Sequence, residues 1–255
     1  MPTDNAIVIL AEFGLHGRLV PGPAGPLLKP GEASRLGHAM LRDLVDRAHH
    51  CSGFDTLLAY HPPDRRGEAE EAAGLRGVWA EPTSGATAGE RAESYMRHVA
   101  TERAYRTVVA LAPTFPHMQR KPIFDAAHTL RGGGALAFAA SDDGVVGLVA
   151  VRGAVPQGLG AALDARDPRE ALVACAQRAG LAARAGKLPP AVLDEEALAQ
   201  IVFDLRAEIA TGKHAGDDLP LHTFEALDAM GIVTDLKANG EVVLKRAGPP
   251  RAPRE

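Results

Sequence analysis

Short runs of continuous apolar residues alternate along this chain with longer stretches whose apolar residues recur at helical spacing. Residues 6–11, Ala-Ile-Val-Ile-Leu-Ala, form the first run. With no polar alternation and several β-branched side chains, it predicts a strand buried on both faces, as in a parallel sheet. Residues 55–60 and 77–80 give two more short strands, and residues 107–111, 135–140 and 145–151 three further ones. Between them, residues 33–50 place Leu36, Met40, Leu41, Leu44, Val45 and Ala48 on one face of a helix. Shorter helices are expected over 68–73, 88–103, 120–130 and 168–179, and residues 152–168 read as irregular. Residues 194–211 form an amphipathic helix with Leu198, Ile201, Val202, Leu205 and Ile209 as its stripe. Alternation of this kind predicts an α/β domain with a mixed, mostly parallel sheet flanked by helices, which binds ligands at strand ends.

The last part of the chain has a different rhythm. Residues 213–218 read as a linker, and a short helix follows over 222–230. Two strands, 232–236 and 241–245, flank Ala238-Asn239-Gly240, and Asn-Gly is a strong hairpin signal. A helix and hairpin of this size cannot bury a core alone. The division is therefore a main domain over 1–212 and a C-terminal helix-hairpin appendage over 213–255, which packs on the main domain or on a second subunit. Residues 246–255, with three prolines, read as a disordered tail.

Candidate chemistry sits in three places. A Gly- and Pro-rich loop follows the first strand and carries Arg18, Lys29 and, at the start of the helix, Arg35. These groups either meet a phosphate or are solvated surface charge. Thr87 and Glu90 have capping-box spacing, so a glycine-rich approach over 82–91 opens a helix whose free N–H groups suit an anion. The stretch matches neither the P-loop nor the dinucleotide fingerprint. The third place is Asp142-Asp143-Gly144, between the strands at 135–140 and 145–151. Asp-Gly is a hairpin turn signal, and two carboxylates also suit magnesium, a hard cation that prefers oxygen ligands; both readings stand. The loop over 112–118, after the strand at 107–111, is where chemistry is also expected, but it has no carboxylate.

Composition narrows the function class. The 255-residue chain has a formal net charge of -4 and 4% aromatic residues, which disfavours nucleic-acid binding. No apolar run approaches the ~20 residues that span a bilayer, so no membrane partner is expected. The N-terminus lacks the basic region of a signal peptide. Two distant cysteines, Cys51 and Cys175, fit a reducing, cytoplasmic setting.

Four features occur in one order: the first strand with its Gly/Pro-rich basic loop, Gly85-x-x-x-Gly89-Glu90-Arg91, Val108-Val109-Ala110-Leu111 with its Pro-containing loop, and Asp142-Asp143-Gly144 before Gly147-Leu148-Val149. This order resembles the bacterial DUF2064 group of small GT-A-type glycosyltransferase-like proteins, akin to the nucleotide-diphospho-sugar transferases and to 2-phospho-lactate guanylyltransferase. The resemblance covers residues 6–210. It implies a GT-A-like (Rossmann-like) fold and transfer of a sugar, or less readily a nucleotidyl group, from a nucleotide-activated donor. It implies Asp142 and Asp143 as contacts to a Mg²⁺ or Mn²⁺ ion or to the donor, with Asp143 catalytic. Gly89, Glu90 and Arg91 would line the donor pocket, and Arg35 would contact a phosphate. Arg91 equally suits a structural ion pair.

The departures from the family pattern are specific. Glu12 stands where the family has a Lys after the first strand. Thr114 and Phe115 occupy the place of the central loop's metal-binding Asp, and of a late acidic segment only Asp194 remains. A sugar nucleotide brings a diphosphate with about two negative charges, which a divalent cation held by carboxylates usually neutralises. Either other basic groups (Arg18, Lys29, Arg35 or Arg91) hold the phosphates, or the chain is a catalytically impaired paralogue that acts as a binding or scaffold subunit. An active enzyme is expected to bind a nucleoside diphosphate with a metal dependence that Asp143→Asn weakens. A homodimer or protein partner would engage the C-terminal appendage.

Overall fold

A computed structural model describes residues 3–13, 27–74, 78–212 and 219–247. Arg18, the 213–218 linker and residues 248–255 of the expected tail lie outside the described residues. Seven strands form the main sheet: β1 (Asn5–Glu12), β2 (Asp55–His61), β3 (Trp79–Pro82), β4 (Thr107–Leu111), β5 (Ala135–Ala140), β6 (Val146–Arg152) and β7 (Ala182–Lys187). Their order is β3-β2-β1-β4-β6-β5-β7. β1 pairs in parallel with β2 and β4, β2 with β3, and β5 with β7, whereas β6 runs antiparallel to both β4 and β5. The sheet is therefore mixed and mostly parallel, as the apolar runs predict.

The period-two alternation of a strand sorts β1 between two cores. Ile7, Ile9 and Ala11 face one side with Leu41, Leu44 and Val45 of α1 (Pro30–His49), Ala69 and Ala72 of α2 (Arg66–Ala73), and Ile123 of α4 (Arg120–Thr129). Ala6 and Val8 face the other with Tyr95, Met96 and Val99 of α3 (Ala88–Thr101), Leu159 of α5 (Leu159–Leu163), and Leu172 of α6 (Pro168–Arg178). Cys51 and Cys175 belong to opposite cores and form no disulfide.

A third cluster carries the C-terminal segment. Leu36 and Met40 of α1 pack with Leu198, Ile201 and Val202 of α7 (Glu195–Ala210), Phe224 and Leu227 of α8 (Leu221–Ala229), and Ile232 of β8 (Ile232–Leu236). Buried Asp43 of α1 accepts the His222 and Thr223 N–H groups, each at 2.8 Å, at the start of α8. β9 (Val242–Arg246) closes the hairpin on β8. Arg246, expected in the tail, instead ends this strand and donates Nη2 to Glu32 Oε2 at 2.6 Å.

Two elements differ from expectation for physical reasons. β7, Ala-Ala-Arg-Ala-Gly-Lys, has no β-branched residue and is largely exposed, because it is an edge strand with one neighbour. Ile209 of the predicted α7 stripe is 42% exposed, since the described hydrophobic cluster reaches only Leu205.

Candidate functional site

A cavity of about 1030 Å³ opens at the C-terminal ends of β1, β4 and β5. Glu12 closes β1, Ala112 follows β4, and Asp142, Asp143 and Gly144 form the turn after β5. Gly89 of α3 lines one wall, and Asp164, Arg166, Asp167 and Arg169 at the approach to α6 line another. Strand ends expose backbone groups and loop side chains at a fixed spacing, so open α/β sheets bind ligands here.

The wall formed by α3 is closed to an incoming anion. Thr87 caps the helix by accepting the Glu90 N–H at 3.1 Å. Glu90 reaches back to the Ala86 N–H at 2.9 Å and does not line the cavity. The Gly89 N–H donates to Asp164 Oδ1 at 2.9 Å, so a carboxylate of this chain already occupies that part of the helix N-terminus. A Cβ on Gly89 would lie 2.1 Å from the Gly160 carbonyl oxygen; glycine here permits close packing of α3 on α5.

Arg91 is committed elsewhere. Its Nε donates to Glu12 Oε1 at 2.7 Å and its Nη2 to Glu12 Oε2 at 2.8 Å. Nη1 donates to the carbonyls of Gly85 and Ala86 at 2.9 and 3.3 Å. The Arg91 side chain is only 9% exposed. Of its two sequence readings, the ion pair describes this geometry: Glu12 forms a bidentate clamp that ties the end of β1 to α3. Arg35 is exposed on α1, in a separate depression with His38, Arg42 and Glu71 that shares no lining residue with the cavity. Lys29 precedes α1, and its backbone N–H donates to Glu32 at 2.9 Å.

The acidic turn does line the cavity. The Ser141 hydroxyl donates to Asp143 Oδ1 and fixes that carboxylate. Asp142 is 81% exposed and pairs with Lys187 at 2.9 Å. Gly144, with φ +88°, takes the left-handed position the turn requires. The turn joins β5 to β6 and presents two carboxylates to the cavity.

A metal site needs more than these two groups. Among the described residues, no three His, Cys, Asp or Glu side chains are grouped so that they could hold an ion. The loop that would supply the missing ligand is built as core. Phe115 is fully buried beside Gly147, where an added Cβ would stand 2.4 Å from the ring. Asp194 is used as the N-cap of α7, accepting the Ala197 N–H at 2.7 Å. The described residues therefore do not fit a self-sufficient divalent-cation site.

Sequence reasoning passed over Arg166 and Arg169. Both line the cavity, both are exposed, and neither forms a hydrogen bond or ion pair with any described residue. A signal was available in Arg166-Asp167-Pro168-Arg169, where an N-cap Asp and a Pro at the first helical position announce a helix start flanked by two cations.

No protein-family model matches the chain, and no curated protein matches it by sequence. Solved structures do. A protein from Desulfovibrio desulfuricans G20, assigned to the nucleotide-diphospho-sugar transferases, superposes with a TM-score of 0.68 at 18% identity, over 89% of this chain and 96% of that one. A cytidylyltransferase from Leptospira borgpetersenii gives 0.53 at 12% identity, over 89% and 95%. A 4-diphosphocytidyl-2C-methyl-D-erythritol synthase from Anaerococcus prevotii gives 0.53 at 10% identity, over 80% and 99%. Likeness at these identities establishes the GT-A-like fold of this chain.

Proposed function

We propose that the cleft binds a nucleotide-activated donor through its phosphates and transfers the donor's sugar to an acceptor hydroxyl. One observation carries this reading. The cavity at the strand ends places two exposed, unpaired guanidinium groups, Arg166 and Arg169, on one wall and the carboxylates of Asp142 and Asp143 at the turn after β5. Cations and a general base around one space are the groups that glycosyl transfer needs. The fold of the similar structures, and the nucleotide substrates their names imply, support the same class.

In this scheme the Asp143 carboxylate, steadied by the Ser141 hydroxyl, takes the acceptor's proton. The acceptor oxygen bonds to the anomeric carbon as the bond from that carbon to the diphosphate breaks. The nucleoside diphosphate leaves with the bonding electron pair, and Arg166 and Arg169 meet the charge it gains. No described side chain completes a metal site, and the proton and charge movements are assigned to these side chains alone.

Nucleotidyl transfer is the second reading, favoured by the fold shared with the cytidylyltransferase. There an acceptor oxygen would attack the α-phosphorus and pyrophosphate would leave. Incubation with nucleotide sugars and with nucleoside triphosphates, followed by product identification, separates the two. A released nucleoside diphosphate with the sugar on the acceptor supports the first; released pyrophosphate supports the second. Asp143→Asn should lower turnover by roughly 100-fold or more with donor affinity little changed, the scale of a general base. Failure of every nucleoside diphosphate and triphosphate to bind would leave the scaffold reading in place.

A further inference from the structure

A separate cavity, of about 330 Å³, opens at the N-terminal ends of β1 and β4, on the side of the sheet covered by α4. It shares no lining residue with the first, which lies at the opposite ends of these strands. The strand register builds its floor. Asn5 of β1 pairs with Thr107 of β4, and Thr107 with Arg152 at the end of β6. Side chains alternate between the faces of a sheet, and Ile7, Val109 and Ala150, two residues inward from these, belong to the core under α4. Asn5, Thr107 and Arg152 therefore form a polar row on that face.

Thr107 is 4% exposed. Its hydroxyl forms no hydrogen bond with any described residue. The hydroxyl is not among the buried side-chain atoms sealed from solvent, so the surface it keeps faces this cavity. A threonine hydroxyl is both donor and acceptor. Buried polar groups are almost always satisfied, so an unpaired one at the floor of a cavity points to a partner that enters from outside.

The rim gives that partner its charge. Three guanidiniums, of Arg106, Arg131 and Arg152, line the space against one carboxylate, that of Asp4. Asp4 meets Arg106 at 3.6 Å, with both side chains exposed. The Arg131 side chain forms no hydrogen bond or ion pair with any described residue. Arg152 donates one N–H to the Arg131 carbonyl at 2.9 Å, a contact that suits the C-terminal end of α4, and its other donors remain. Three cations less one anion leave two positive charges. A phosphate monoester matches them, with a charge of about -1.5 to -2 at pH 7. The remaining wall is apolar: Phe54 and Phe124 meet edge to face with ring centroids 6.0 Å apart, and Phe124 is 39% exposed.

We infer that this cavity binds a small phosphate monoester, its phosphate held by Arg131, Arg152 and the Thr107 hydroxyl and its apolar body laid against Phe124. No residue of the strand-end cleft takes part, so the inference stands or falls apart from the donor reading.

The test is calorimetric titration of the full chain carrying Arg166→Ala and Arg169→Ala, which takes the first cleft's cations out of the reading. The probes are phenyl phosphate, inorganic phosphate and phenol, at low salt and about pH 7.5, where the ester is a dianion. Phenyl phosphate should bind saturably. Inorganic phosphate should bind about tenfold or more weaker, for want of a ring to bury, and phenol should not bind. Arg131→Ala with Arg152→Ala should weaken phenyl phosphate by roughly 100-fold, the scale of two charge-assisted contacts. Both side chains are exposed, so the fold is kept. Thr107→Val should weaken it by about fivefold or more without loss of stability, because the hydroxyl it removes serves no described residue. No binding of phenyl phosphate, equal binding of inorganic phosphate or phenol, or indifference to the Arg131 and Arg152 substitutions or to Thr107→Val would overturn the inference.

Discussion

Two helix starts border the cleft, and they use their charges in opposite ways. At α3 the donors that suit a phosphate are turned on the protein itself: Arg91 on Glu12, the Gly89 N–H on Asp164, the Ala86 N–H on Glu90. At α6 the cap is satisfied locally, with Asp167 Oδ1 accepting the Glu170 N–H at 3.1 Å, while Arg166 and Arg169 are left unpaired toward the cavity. A glycine-rich helix start with an arginine is thus not by itself an anion site. What matters is whether its donors remain available after folding.

The largest effect expected from this comparison is on stability at α3. Glu12→Ala should leave the Arg91 guanidinium buried without its carboxylate and cost about 3 to 5 kcal/mol, read by chemical denaturation. A cost near zero would mean that the clamp is not structural. Gly89→Ala should follow at about 1 to 3 kcal/mol, because the new Cβ must displace the Gly160 carbonyl. Arg166→Ala and Arg169→Ala should each change stability by less than about 0.5 kcal/mol, as exposed positions without partners do. A larger loss there would show that the α6 start is also structural.

The smallest effect lies far from the cleft. The Arg246 guanidinium beside Glu32, helped by the Lys29 N–H, holds the Glu32 carboxyl at about 2, below its ordinary 4.5. A depressed carboxylate pKa contributes stability that is present above about pH 4.5 and lost as pH falls through about 2. Arg246→Ala should raise the Glu32 midpoint toward 4.5 in carboxyl-carbon NMR. An unmoved midpoint would show that β9 does not anchor α1 through this pair.

The sequence was most legible where local pattern and burial agree. β4 and β5 fall where the apolar runs place them, since buried strands need unbroken apolar residues. β7 was hidden because an edge strand of small residues carries no such pattern. The acidic turn was legible as Asp-Asp-Gly, and the structure does bring Asp142 and Asp143 to the cleft. The fate of Arg91 was not, because its partner Glu12 is 79 residues away in sequence. Arg35, close to the first loop in sequence, lines a separate depression and not the cleft.

The most direct measurement is calorimetric titration with the tightest-binding nucleoside diphosphate, comparing the unaltered chain with the Arg166→Ala/Arg169→Ala double variant. Each lost charge-assisted contact should weaken binding about tenfold or more, so the double variant should lose roughly 100-fold. Unchanged affinity in a variant of unchanged stability would contradict the claim that the α6 start receives the donor's phosphates.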